Sequence, residues 1–195
     1  IFDEIVSGFR WDIGGYQNKM KIIPDLSCFS KAMGNGYPIS ALVGKKEIMK
    51  RSKEIFYSLT YGSDPIAMAA SISTINYLKK NKVLPKINNM GNYFLKNLNN
   101  LINKYQLDEF INVIGFSVKN ILIIKGNNLI ESELIRNFLL QLLAKNKVLN
   151  LGYNIFSYSH NKTIIDRLLI SYENSFYELS KQIKDNNLKD KKIFK

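Results

Sequence analysis

The sequence predicts an α/β protein in two parts, and three observations carry that expectation. Short apolar runs alternate with glycine-rich turns over the first 65 residues, and helical periodicity takes over after Asp64-Pro65. Beyond residue 110 a pair of strands is followed by further helices. Polar residues gather at the ends of the early strands, which is where α/β sheets build their sites.

Taken in order, residues 1–6 (Ile1-Phe2-Asp3-Glu4-Ile5-Val6) read as a buried strand and residues 7–15 as a loop. Pro24-Asp25-Leu26-Ser27-Cys28-Phe29 forms a second short strand, and Lys31 follows at once, ahead of the dense turn Gly34-Asn35-Gly36-Tyr37-Pro38. Residues 39–43 make a third strand, closed by Gly44. Asp64 and Pro65 supply a cap and a first-turn proline, and Met68, Ile72, Ile75 and Leu78 repeat on one helical face. A longer helix follows Pro85, striped by Ile87, Met90, Phe94, Leu98, Leu101 and Tyr105, with Gly91 weakening it without abolishing it.

Residues 111–118 and 121–124 read as two strands joined tightly at Lys119-Asn120. A helix over 132–145 carries Leu134, Phe138, Leu139 and Leu142, and residues 148–156 read as a strand. The last helix starts near Asn161 with Ile165, Leu168, Tyr172, Phe176, Leu179 and Ile183 on its apolar side; past Asp185 the chain is polar and expected to fray. The change of pattern near residue 105 divides the chain into 1–105, a piece of a larger α/β domain, and 106–195, a small α+β domain with a basic tail. The opening residues read as the interior of a strand, so the chain is expected to be a fragment with sequence missing upstream.

Composition excludes several function classes. No apolar run approaches the roughly 20 residues of a membrane helix, and no signal peptide is visible. Cys28 is the only cysteine, so an internal disulfide is impossible and a reducing, cytoplasmic setting fits. His160 is the only histidine, which argues against a metal site built on histidine pairs, and a Cys–His nucleophile pair has no surrounding signature. The net charge of +12 would suit a nucleic-acid partner, but it is spread along the chain and concentrated partly in the tail. Neither an aromatic-basic platform nor a helix-turn-helix accompanies it, so a solvated basic face is the simpler reading.

Four residues stand where chemistry can happen. Asp3 and Glu4 end an apolar strand, where a buried carboxylate needs a cation or donors; they serve either as a salt bridge or cap, or as an acid facing a positive group in a pocket. Lys31 is either a surface lysine before a turn or an amine held at a strand end, with small Ser30 and Ala32 leaving room for a ring and desolvation lowering its pKa. Thr60 precedes a helix start, which is either ordinary capping or an anion site. Jointly they offer an acid for a ring nitrogen, an amine for an aldehyde and a donor for a phosphate, the three handles of pyridoxal 5'-phosphate.

Here the sequence resembles the class III aminotransferases of the fold type I pyridoxal-phosphate enzymes. Phe2-Asp3-Glu4-Ile5-Val6-Ser7-Gly8-Phe9-Arg10 is similar to the family's Asp-Glu-Val segment with its following Gly-Phe, and residues 24–38 resemble the cofactor-lysine segment, with Lys31 28 positions after Asp3. Thr60-Tyr61-Gly62 resembles the family's phosphate-reaching threonine, with Ser63-Asp64 replacing the frequent Gly-Asn. The resemblance implies a fold type I large domain, here its latter part, with a small C-terminal α+β domain. It implies a Schiff base on Lys31, which is then general base, Asp3 on the pyridine nitrogen, Ile5 on the ring face, and Thr60 serving the neighbouring subunit of a homodimer. Gly8-Phe9-Arg10-Trp11 and Gly15 look nearest the glutamate-1-semialdehyde aminomutase branch.

Ser157-Tyr158-Ser159-His160 is similar to a Ser-x-x-His segment of the small domain, with His160 structural. No arginine stands in the motif by which many ω-aminotransferases hold a substrate carboxylate, and Arg136 and Arg167 fall on helices as surface residues. The family's phosphate loop and ring-stacking aromatic lie upstream of Asp3, so this piece alone is expected to be inactive. Its implied partners are small amine and carbonyl substrates, without nucleic acid or membrane. A different fold type I outcome such as decarboxylation, a basic nucleic-acid-binding module and a non-catalytic remnant acting through dimerisation remain as alternatives.

Overall fold

A computed structural model describes residues 1–56, 60–128, 130–185 and 188, and its packing divides the chain at Pro85 and Lys86. In the first unit, strand β1 is only Phe2–Asp3. It ends early because the Asp3 carboxylate takes the Ile5 N–H at 2.9 Å, a local bond that competes with the strand ladder. Helix α1 (Gly15–Met20) follows the loop; it has no apolar periodicity to announce it and is capped from a distance, as described below. Strand β2 (Leu26–Phe29) runs parallel to β1, with Phe2 opposite Ser27 and Asp3 opposite Cys28. Strand β3 (Ala41–Gly44) returns antiparallel to β2, so the sheet order is β1-β2-β3.

Short helix α2 (Lys46–Lys50) and a 3-10 turn at Arg51–Glu54 follow; neither was anticipated from sequence. Helix α3 (Pro65–Lys80) begins as its sequence requires, with the Asp64 side chain accepting from Ile66 N–H at 2.9 Å. Its orientation differs from the expected one. Ala67 and Ser71 are buried, whereas Met68 and Ile72 of the predicted apolar stripe are 44% and 62% exposed. Small residues on the inner face let the helix come close to the turn at Lys31–Met33.

In the second unit, α4 (Val83–Lys104) starts two residues before Pro85. The proline therefore sits in the first turn, where a missing N–H costs no intrahelical bond. Strands β4 (Ile111–Phe116) and β5 (Lys119–Ile124) form a hairpin, and β6 (Tyr153–Ile155) completes an antiparallel sheet in the order β4-β5-β6. Phe116 pairs with Lys119, so the turn is Ser117-Val118 rather than Lys119-Asn120. Val118 is fully buried, which draws the apolar residue into the corner. The expected strand over 148–156 contracts to β6, because residues before it cap α5 (Ser132–Lys145) and turn through Gly152 at φ 90°. Helix α6 (Lys162–Lys184) starts at Asn161, whose side chain accepts from Ile164 N–H at 3.0 Å.

The core of this unit is aromatic. Phe94 lies fully buried with ring centroids 5.1 Å from Phe156 and 5.7 Å from Tyr172, and Phe176 stacks beyond at 5.6 Å from Tyr172. A buried polar chain crosses it: Tyr172 OH donates to Asn154 Oδ1 at 3.0 Å, and Asn154 Nδ2 donates to Asn120 Oδ1 at 3.0 Å. Burial pushes the Tyr172 hydroxyl up to about 12, against a smaller opposing effect of its bond with Asn154. No described helix is long and apolar enough to cross a membrane.

Candidate active site

The parallel pairing of β1 with β2 places the two predicted reactive residues. Asp3 is the last residue of β1 and lies opposite Cys28, three residues short of Lys31. Acid and amine thus leave the sheet at the carboxyl ends of neighbouring parallel strands, the position where α/β folds assemble sites. Both side chains are exposed, and among the described residues neither enters an ion pair. The desolvation expected around the lysine is therefore not supplied by these residues.

Lys31 has φ +43°, the left-handed region that costs a non-glycine residue about 1–2 kcal/mol. The surrounding bonds hold it there. Its carbonyl accepts from Gly34 N–H at 3.2 Å and Asn35 N–H at 3.0 Å, and Ser30 Oγ donates to the Ile39 carbonyl at 2.7 Å. Asn35 and Gly36 continue the turn at φ +48° and +111°, while at Gly34 a Cβ would meet the Tyr37 carbonyl oxygen at 2.6 Å; the Gly-Asn-Gly run answers both needs.

Ile5 is half-buried just past β1. Thr60 is exposed in the turn leading to α3, and residues 57–59 lie outside the described residues. Among the described residues no hydrogen bond joins Thr60 to Asp3 or Lys31. The link is indirect, through α3, which packs on the lysine turn and borders an open cleft of about 420 Å³ beside Gly34, Asn35 and Tyr37. Ser63 stands at φ +63°, a backbone state that glycine adopts without cost.

The residue that sequence reasoning left unresolved is Glu4. It is 1% exposed, and its carboxylate accepts from the Ser7 hydroxyl, from Tyr16 N–H at 2.8 Å and from Gln17 N–H at 2.7 Å. Of the two neighbouring acids, Glu4 is the structural cap and Asp3 is the one left open. The signal in the sequence was Gly15, which at φ +83° leaves space for that carboxylate.

A larger cleft, about 560 Å³, lies in the second unit between β6 and the start of α6, and contains none of the predicted site residues. His160, on its wall, accepts from Ser157 N–H at 3.0 Å through Nδ1, and burial holds its pKa below the usual imidazole value. Its acceptor nitrogen holds the turn that leads into α6. Among the described residues no cluster of three metal-binding side chains occurs. An open carboxylate and an open amine at adjacent strand ends are the donor set that a phosphorylated pyridine aldehyde takes.

Comparison with known proteins identifies the family. Residues 1–118 match the family model described as aminotransferase class-III. A glutamate-1-semialdehyde 2,1-aminomutase of Sulfolobus acidocaldarius is 32% identical over 182 residues, 87% of this chain and 43% of that protein. The enzyme of the same name from Fusobacterium nucleatum is 38% identical over 138 residues, 68% of this chain and 32% of that protein. Among solved structures, the PLP internal aldimine form of Sphingopyxis sp. MTA144 FumI superimposes with a TM-score of 0.83 over 93% of this chain and 43% of its own, at 21% identity. That likeness establishes the fold. The chain spans less than half the length of these relatives.

Proposed function

Because the chain belongs to the class III aminotransferase family, we propose that the whole protein transfers amino groups between small amines and carbonyl compounds using pyridoxal phosphate. The transfer runs between molecules or, as in the aminomutases it resembles, within one. The cofactor supplies a conjugated ring that takes up the electrons left when the amine-bearing carbon loses its proton. Lys31 Nζ would hold the cofactor through its aldehyde and, once free, would serve as the base that takes the proton from the amine-bearing carbon. Asp3 keeps a proton on the pyridine nitrogen, and Ile5 packs against the ring face. Thr60 would donate to the phosphate held by a neighbouring subunit, which makes the working unit a homodimer, and the single cysteine, Cys28, suits a reducing cytoplasm. We assign residues 1–105 to the cofactor-binding domain and 106–195 to the small domain, a boundary at the end of α4, whereas the packing divides the chain near its start.

The observation that supports this reading is the register of Asp3 opposite Cys28, which sets acid and lysine at one end of two adjoining strands. Borohydride reduction of the full gene product with its cofactor tests it. The label is expected on Lys31 Nζ, and a label on any other lysine overturns the assignment. Lys31→Ala should remove the cofactor's visible-edge absorbance and slow transfer at least about 10²–10⁴-fold, the usual worth of a positioned acid-base group. With the cofactor removed, the unfolding midpoint should stay where it was, because the Lys31 side chain is exposed.

A further inference from the structure

We propose that Glu4 is a positioning residue for the site, fixing the direction of the Asp3 carboxylate; the proposal rests on the reading above that Asp3 faces the ring nitrogen. The two acids are joined by one peptide bond yet live in opposite surroundings, Asp3 exposed and Glu4 buried. A carboxylate taken out of water costs several kcal/mol unless donors replace the water. Among the described residues no cation pairs with Glu4. Instead its oxygens receive the Ser7 hydroxyl and the first free N–H groups of α1, from Tyr16 and Gln17.

Its main chain is equally held. Glu4 N–H donates to the Cys28 carbonyl at 2.9 Å, which ties it to β2 three residues before Lys31, and its own carbonyl accepts from Gly8 N–H at 2.8 Å. Gly15 completes the seat: a Cβ there would lie 2.5 Å from the carboxylate carbon. Glu4 is thus fixed on every polar side, to the neighbouring strand, to the following loop and to a helix. By contrast, among the described residues the Asp3 side chain accepts a single hydrogen bond, from Ile5 N–H. A rotation at Glu4 would turn the end of β1 and swing Asp3 with it, so the orientation of the open acid depends on the buried one.

The experiment uses the full gene product with its cofactor bound and compares Asp3→Asn, Glu4→Gln and Gly15→Ala. Glu4→Gln keeps the size of the side chain but turns an NH2 toward backbone donors. Gly15→Ala disturbs the same seat while leaving every charge in place. Two readouts are taken: the pH midpoint of the bound cofactor's absorption, and the thermal midpoint of the cofactor-free protein. Glu4→Gln and Gly15→Ala should move the spectral midpoint in the same direction as Asp3→Asn, by up to about one pH unit, the worth of one lost hydrogen bond. A lowered thermal midpoint with an unmoved spectrum in either variant that still binds cofactor makes Glu4 a folding residue only and overturns the proposal. An unmoved spectrum in Asp3→Asn sinks the reading of Asp3 itself, and the role of Glu4 with it.

Discussion

Residues 1–85 and residues 86–195 reach order by different means. The large side chains that are wholly buried, Phe94, Phe156, Tyr172 and Phe176 among them, all belong to the second unit. The first unit buries few apolar side chains, chiefly Phe29, Met33 and Ala67 among the early elements, and relies on polar anchors: Glu4 on α1, Asp64 on α3, Ser30 on the Ile39 carbonyl. Both units leave large apolar groups in the open, with Phe56 94% and Leu149 93% exposed, so exposure does not separate them. The lesson is that the residues proposed for chemistry sit at a strand end and on turns tied by hydrogen bonds, while the stability of the other unit comes from close-packed rings. Disturbing one kind of support should leave the other's signature untouched.

The largest stability effect is expected at Phe94. Replacing it with Ala empties the ring cluster and should cost about 3–5 kcal/mol in denaturant unfolding, with the folded fraction still labelled by borohydride at Lys31. Loss of labelling in that folded fraction would erase the contrast between the units.

Next comes the pH dependence of Tyr172. Its pKa rises from 10.0 unfolded to about 12 folded. The folded state thus holds the proton more tightly, and that contribution is complete below pH 10 and lost as pH climbs toward 12. The two-unit difference corresponds to about 3 kcal/mol. Thermal midpoints measured from pH 9 to 12 should fall more steeply for the native chain than for Tyr172→Phe, and parallel curves would contradict this.

A smaller effect tests the seat of the β4-β5 hairpin. Gly91→Ala would gain about 1 kcal/mol of helix propensity, yet its Cβ would stand 1.8 Å from the Ser117 carbonyl oxygen. The clash wins, and a net loss of about 1–3 kcal/mol is expected in urea unfolding; a stabilised variant would mean that the turn does not rest on α4. The smallest change is a gain. Ser63→Gly relieves a left-handed residue in the first unit and should raise stability by about 0.5–1 kcal/mol in thermal unfolding.

Much of this was legible in the residues. Asp64-Pro65 announced the start of α3, and Asn161 that of α6, because capping is local chemistry. The apolar spacing from Ile87 to Leu98 predicted the buried face of α4, where helical period and burial coincide. α1 was invisible, since its start is held by a carboxylate 12 and 13 residues upstream rather than by its own pattern. The face of α3 was misread because periodicity locates an apolar stripe without saying that small Ala67 and Ser71 pack closer to the lysine turn.

By itself, then, the sequence determined the family, the α/β class and the identity of the acid, amine and hydroxyl worth testing, since these follow from residue types at short separations. Only the tertiary structure decided which of two adjacent acids is buried, that Lys31 takes a left-handed backbone, and that Asp3 ends beside the strand leading to it. Those outcomes depend on hydrogen bonds between segments far apart in the chain, and no local spacing records where such partners meet.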